Sequence, residues 1–202
     1  MVTRHTRAML HQQPEQQQRF DFFERQNERD CTIHSLNNAS GRVVVTKKQV
    51  LEKIDRMVAD FAKTHDDPAQ VEKYKKQLTV KNSFFSAETV WDTAIELGTV
   101  ASMSPVPGFG GDFADLDHLP SWIIKAHLVF LGLDAKGHPH AVGARDGRIY
   151  DSQRWRAGPL PLDNKNLGFV LSRVFALFVV NLPGSVPISS VTRIKPESIR
   201  TR

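Results

Sequence analysis

The stretch Gln26-Asn27-Glu28-Arg29-Asp30-Cys31-Thr32-Ile33-His34-Ser35-Leu36-Asn37-Asn38 holds the only cysteine of the chain. From Ile33 onward the apolar residues Ile33, Leu36 and Ala39 recur at helical spacing. Asp30 is placed to cap that helix, so Cys31 falls in its first turn. The position has chemical weight, because the thiolate is the attacking species and the positive end of a helix favours it. Five residues upstream, the carboxamide of Gln26 can donate hydrogen bonds to a developing oxyanion. A lone cysteine is more often a small buried hydrophobe. Here its neighbours Asn27, Glu28, Arg29 and Asp30 are all polar or charged, which favours a nucleophile.

Bulk properties narrow the classes. The chain has 202 residues, 40% hydrophobic and 24% charged, enough for one sizeable core with tails. No apolar run reaches the length of a membrane span. One cysteine excludes an intrachain disulfide and a Cys-rich zinc site, and it points to a reducing compartment, cytoplasm or nucleus. No His/Glu/Asp cluster has metal-ligand spacing, so neither metal nor cofactor is expected. The net charge of +5 and pI near 9.5 leave nucleic acid open as a partner, but no binding motif accompanies them.

Three regions are expected. Residues 1–18 form a polar, Gln-rich, disordered arm, residues 19–185 a single domain, and residues 186–202 a basic tail. Ser40-Gly41 stops the first helix. Thr46 and Gln49 make a capping box ahead of Val50, Leu51, Ile54, Met57, Val58 and Phe61 at helical spacing. Asp67-Pro68 opens a thinner helix with Lys73, Lys75 and Lys76 on its wet side, and Ser86 caps a third that Gly98 closes. Ser102 to Pro120, rich in Pro, Gly and Asp, reads as a long loop suited to the rim or lid of a site. The second half turns to β structure, with strands at Trp122–Leu133, Pro139–Ala144, Arg148–Ser152 and Phe175–Asn181, and a short helix within Asp163–Arg173.

The Asp146-Gly147 pair predicts a two-residue hairpin, which fixes a register. Arg145 then faces Arg148, Val142 faces Asp151, and His140 is diagonal to Asp151 on one face. At that diagonal a carboxylate can accept a hydrogen bond from the imidazole and hold its tautomer. Taken alone, the two residues read more readily as an exposed cross-strand pair. Of the eight histidines, His5, His11 and His65 lie in polar segments, and His118 lies in the loop. His34 is too near Cys31 in sequence to be an independent base, and His127 reads as a satisfied core residue. His138 shares the parity of His140 and is its rival, without an aligned carboxylate.

These residues, in order, resemble the Josephin domain, the papain-like cysteine protease domain of the ataxin-type deubiquitinases. The match runs through Gln26, Cys31, His34 to Asn38, Ser83-Phe84-Phe85-Ser86, Leu97-Gly98, His140, Asp151-Ser152 and Phe178-Val179-Val180. It covers about Phe20 to Pro183. The resemblance implies an α+β, papain-like fold, in which a helix bearing the nucleophile packs on a C-terminal antiparallel sheet. It also implies Cys31 as nucleophile, His140 as general base, Asp151 as orienting residue and Gln26 in the oxyanion hole. The implied activity is hydrolysis of conjugates of ubiquitin or a ubiquitin-like modifier. Asp151 stands where the family usually carries Asn, and Ala141 where an aromatic normally follows the histidine. The segment Lys47 to Lys81 shows no recognisable identity.

Two other readings remain open at this stage. A papain-like processing protease of a viral polyprotein would share the chemistry. A catalytically idle scaffold or RNA-associated module would share only the fold.

Overall fold

The structure, a computed structural model, describes residues 22–26, 30–80, 84–109 and 115–185. The polar arm, Phe20, the basic tail and the boundaries drawn for them lie outside the described residues, as do Asn27, Glu28, Arg29, Ser83, Gly110 and Gly111. The architecture is mixed α and β: among the described residues, six helices accompany a six-stranded antiparallel sheet and a two-stranded ribbon.

Helix α1 spans Cys31–Ser40 and ends where Gly41 turns left-handed, at φ 70°, a conformation only glycine adopts without strain. Asp30 occupies the N-cap position, but its side chain makes no capping bond. The carboxylate lies instead 3.4 Å from the Lys47 ammonium. Helix α2 (Lys47–Ala62) starts on the complete Thr46/Gln49 capping box. Helix α3 (Pro68–Leu78) starts on Asp67, whose carboxylate accepts from the Ala69 amide. The ribbon β1 (Thr79–Val80) and β2 (Phe84–Phe85) leads to α4 (Ala87–Glu96), where the Ser86 side chain accepts from the Thr89 amide.

The sheet is built from β3 (Ser102–Pro105), β4 (Leu128–Leu133), β5 (Pro139–Arg145), β6 (Arg148–Tyr150), β7 (Leu160–Pro161) and β8 (Arg173–Asn181), in the spatial order β3-β8-β4-β5-β6-β7. Residues of β4 and β8 alternate between two cores. Val129 and Val180 join Ile33, Leu36, Val50, Ile54, Val90 and Trp91 on the face covered by α1, α2 and α4. Leu128, Phe130, Leu177 and Val179 join the opposite core, with Ile123, Leu167 and Val170. A strand buried on both faces reads as a continuous apolar run, as Phe175 to Asn181 does. Leu36 is wholly buried, and burying a leucine contributes roughly 1.5–3 kcal/mol.

Helix α1 approaches β5 so closely that a Cβ at Gly143 would lie 2.3 Å from the Ser35 carbonyl oxygen and 2.7 Å from the Ala39 nitrogen. Only glycine fits there. The hairpin register matches its expectation: Arg145 pairs with Arg148, Ala144 with Ile149 and Gly143 with Tyr150. Asp146 and Gly147 both have positive φ, at 52° and 69°, as a type I′ turn requires.

Two segments depart from the sequence reading. Trp122–Leu133 is not one strand; Ser121–Ile124 forms the one-turn helix α5, and β4 begins at Leu128. Periodicity cannot separate a buried helical turn from a buried strand in so short an apolar run. The segment Ser102 to Pro120 is not all loop. Its start is β3, an edge strand whose backbone pairs with β8 from Ser102↔Asn181 to Pro105↔Phe178. Val106, Phe109, Leu116 and Leu119 from its flanks are buried in the core opposite α1, so this part is packing and not rim. A 3-10 turn covers Leu116–His118. Asp163 caps the short helix α6 (Asn164–Val170), within the expected range. Among the described residues no helix is long and apolar enough to cross a membrane.

Candidate active site

Cys31 opens α1, His140 is the second residue of β5, and Asp151 follows directly on β6. Close packing of α1 on β5, which Gly143 permits, brings the three together. His140 Nε2 lies 3.1 Å from Asp151 Oδ1. Cys31 also acts on the imidazole, its thiol helping to hold the ring's charged form. Cys31, His140 and Asp151 are all buried, at 2%, 4% and 5% exposure.

Burial works to lower the His140 pKa. The hydrogen bonds to Asp151 and then to Cys31, with their charges, more than offset it and raise the value from 6.5 to about 9. At neutral pH the ring is therefore an imidazolium, donating from Nε2 to the carboxylate. A fixed cation at that point is what stabilises a thiolate.

Gln26 is held from the far side of the sheet's end. Its amide N–H donates to the Ser152 carbonyl at 3.1 Å, and the Ser152 hydroxyl donates to Gln26 Oε1 at 3.1 Å. The segment bearing Gln26 is pinned to α1 by the motif His34 to Asn38. The Glu24 amide donates to Asn38 Oδ1 at 2.7 Å, and Asn37 Nδ2 donates to Glu24 Oε2 at 2.8 Å. His34 Nδ1 lies 2.9 Å from the same carboxylate oxygen. Asn37 also accepts from the Val44 and Val45 amides at 2.9 and 3.1 Å, tying the end of α1 to the approach to α2. Arg145, buried under Tyr150 with its guanidinium carbon 3.9 Å from the ring centroid, donates to the carbonyls of Asn38 and Phe22. The His-Ser-Leu-Asn-Asn run is thus a clamp for the Gln26 segment, in which Asn37 and Asn38 make the hydrogen bonds and His34 lies against the Glu24 carboxylate.

His127, His138 and His65 stand apart from this chemistry. His127 Nδ1 lies 2.6 Å from the Ala39 carbonyl, just ahead of β4 rather than within it. His138, the rival base, does have a carboxylate partner, contrary to its reading from the strand pattern. Its Nδ1 lies 3.5 Å from Asp134 Oδ2, within the turn, and the side chain is 66% exposed. His65 stacks on Phe61 at 3.7 Å between ring centroids.

Sequence reasoning missed the 3-10 turn Ser152–Ala157. Gln153 donates its backbone N–H to Asp151 Oδ1 at 3.0 Å, and its side-chain nitrogen lies 3.2 Å from His140 Nδ1. When Nδ1 carries a proton, the amide must turn its oxygen to the ring or leave Nδ1 to the sulfur. Arg154 Nε lies 3.4 Å from Asp151 Oδ2, with the guanidinium 4.1 Å above the Phe169 ring centroid. The one available signal was Asp-x-Gln after a hairpin strand, where an Asp side chain bonds the backbone two residues on. Among the described residues no His/Cys/Asp/Glu group is arranged to hold a metal ion. No family model matches the sequence, and no curated protein matches it.

Proposed function

We propose that this chain is a papain-like thiol hydrolase of Josephin type, cleaving the bond after the C-terminal glycine of ubiquitin or a ubiquitin-like modifier. One observation carries the reading: a buried imidazole that hydrogen-bonds a carboxylate and whose charged form is favoured by that carboxylate and by the only cysteine. The residue order and spacing of the Josephin resemblance supply the substrate class.

In this scheme the Cys31 thiolate attacks the glycine carbonyl, forming the S–C bond. The negative charge moves to the carbonyl oxygen, where the Gln26 side-chain amide and the Cys31 backbone N–H receive it. His140 gives its proton to the leaving amine as the C–N bond breaks, leaving a thioester on Cys31. Water then attacks the thioester, His140 takes its proton, and the carboxylate product departs with Cys31 restored. Asp151 holds the ring throughout and takes no part in the bond making or breaking. The chemistry needs a reduced thiol, which cytoplasm or nucleus provides.

A ubiquitin carrying a C-terminal propargyl amide, and the corresponding ubiquitin-like probes, test this. The expected result is one adduct per chain at Cys31, absent in Cys31→Ala. Absence of an adduct with every modifier would overturn the substrate class. Cleavage of co-expressed polyproteins at internal linear sites would then favour the processing-protease reading.

A further inference from the structure

The structure assigns to Ser152 the role of orienting the Gln26 carboxamide, by a hydroxyl that fixes which end of the amide faces the thiol. The inference rests on the thiol-hydrolase reading and deepens it. An amide presents nitrogen and oxygen from nearly the same shape, and the two ends have opposite effects on an oxyanion: one donates to it, the other repels it. A residue used as an oxyanion donor therefore needs its oxygen occupied elsewhere. In this chain Ser152 does so. It is 1% exposed, and its hydroxyl is 3.1 Å from Gln26 Oε1. A carboxamide oxygen can only accept, so the hydroxyl donates, and Nε2 is left to face away from Ser152.

The grip is two-point. The Gln26 backbone N–H also donates to the Ser152 carbonyl at 3.1 Å, so both main chain and side chain of Gln26 are referenced to one residue. Ser152 directly follows Asp151, whose carboxylate accepts from the Gln153 amide and lies against His140. Movement of this turn would displace the oxyanion donor and the base together. Ser152 touches neither substrate nor the reacting atoms; it is a positioning residue.

The test compares two reactions of Cys31. Acylation by p-nitrophenyl acetate forms the S–C bond through a tetrahedral oxyanion and expels nitrophenolate. Alkylation by iodoacetamide displaces iodide at a saturated carbon and forms no oxyanion. Ser152→Ala is expected to slow acylation at least tenfold, leaving alkylation within twofold of wild type. Gln26→Ala is expected to slow acylation further, and adding Ser152→Ala to it to change nothing more, because the amide to be oriented is gone. A merely structural role would slow both reactions, or slow acylation equally in both backgrounds, and either result overturns the assignment. Acylation of Ser152→Ala at the wild-type rate overturns it too. A wild-type chain that iodoacetamide labels but the ester does not acylate removes the thiol-hydrolase reading itself, and Ser152's role with it.

Discussion

Around α1, buried and half-buried polar side chains are bonded to one another: His140 to Asp151, Ser152 to Gln26, Asn37 to Glu24 and to the Val44 and Val45 amides. In the α2–α3 hairpin the pattern is reversed. Only Val50 and Ile54 of α2 are buried, α3 buries no residue, and the polar contacts are exposed pairs such as Lys76–Glu72 and Lys63–Asp60. Buried polar networks tolerate no partial change, since an orphaned group costs about 1–3 kcal/mol, whereas exposed ion pairs are worth about 0–1 kcal/mol. The hairpin coincides with the segment Lys47 to Lys81, where the Josephin resemblance vanishes. Geometry constrains residues at the thiol, and only amphipathic spacing constrains them in the hairpin.

The contrast breaks most decisively at the thiol. Cys31→Ala or His140→Ala is expected to cut turnover of a ubiquitin C-terminal amide by a thousandfold or more on the order-of-magnitude scale of such residues, with an unchanged circular dichroism spectrum. Residual turnover above one percent in either would remove that residue from the chemistry.

Next comes the seam on which the site is mounted. Gly143→Ala would drive a methyl into the Ser35 carbonyl, 2.3 Å away, and is expected to cost roughly 3 kcal/mol or more of stability. Urea midpoints measure this. Gly168 in α6 is the control, because a Cβ there meets nothing within 4 Å. Gly168→Ala is expected to be neutral or to stabilise by up to about 1 kcal/mol. Equal effects at the two glycines would show that α1 does not sit on β5 as described.

Asp151 gives a graded effect. Asp151→Ala is expected to lose on the order of ten- to a hundredfold in turnover, as a positioning contact. Asp151→Asn keeps an oxygen that accepts from Nε2 and is expected to retain much of the activity. Both remove a charge that raises the His140 pKa, so the alkaline limb of the Cys31 alkylation profile, expected near pH 9, moves down. The stability linkage has the same sign. His140's contribution is fully present below its ordinary value of 6.5 and is lost as pH rises through about 9. An alkaline limb that stays near 9 in Asp151→Asn would mean that the carboxylate does not set it.

The smallest effects belong to the hairpin. Tyr74 stacks on Phe61 at 4.4 Å between centroids, and Tyr74→Ala is expected to cost about 1 kcal/mol while leaving ester acylation of Cys31 unchanged. Lys76→Ala should change stability by less than about 0.5 kcal/mol. A loss of acylation in either variant would show that the hairpin and the site are coupled.

What could be read in the sequence follows the same division. The hairpin register was legible because two residues, Asp146 and Gly147, determine it locally, and from it came the His140–Asp151 contact now at 3.1 Å. Helix starts at Thr46, Asp67 and Ser86 were legible because capping is local as well. The β3 strand was not, because Ser102 to Pro105 has little strand propensity and is held by backbone bonds to a partner nearly eighty residues away in sequence. The contacts of Asn37, Arg145 and Ser152 were hidden for a similar reason: their partners are defined by three-dimensional approach, and no spacing rule reports it. Arg145 reaches a carbonyl 123 positions away and Ser152 a side chain 126 away.

The place of β8 carries a consequence for the order in which the molecule is made. It is the last described strand in the chain, yet it lies inside the sheet, between β3 and β4. Until it emerges from the ribosome, β3 has no neighbour and β4 is an open edge. Strand order alone delays completion of the sheet until translation has passed Asn181.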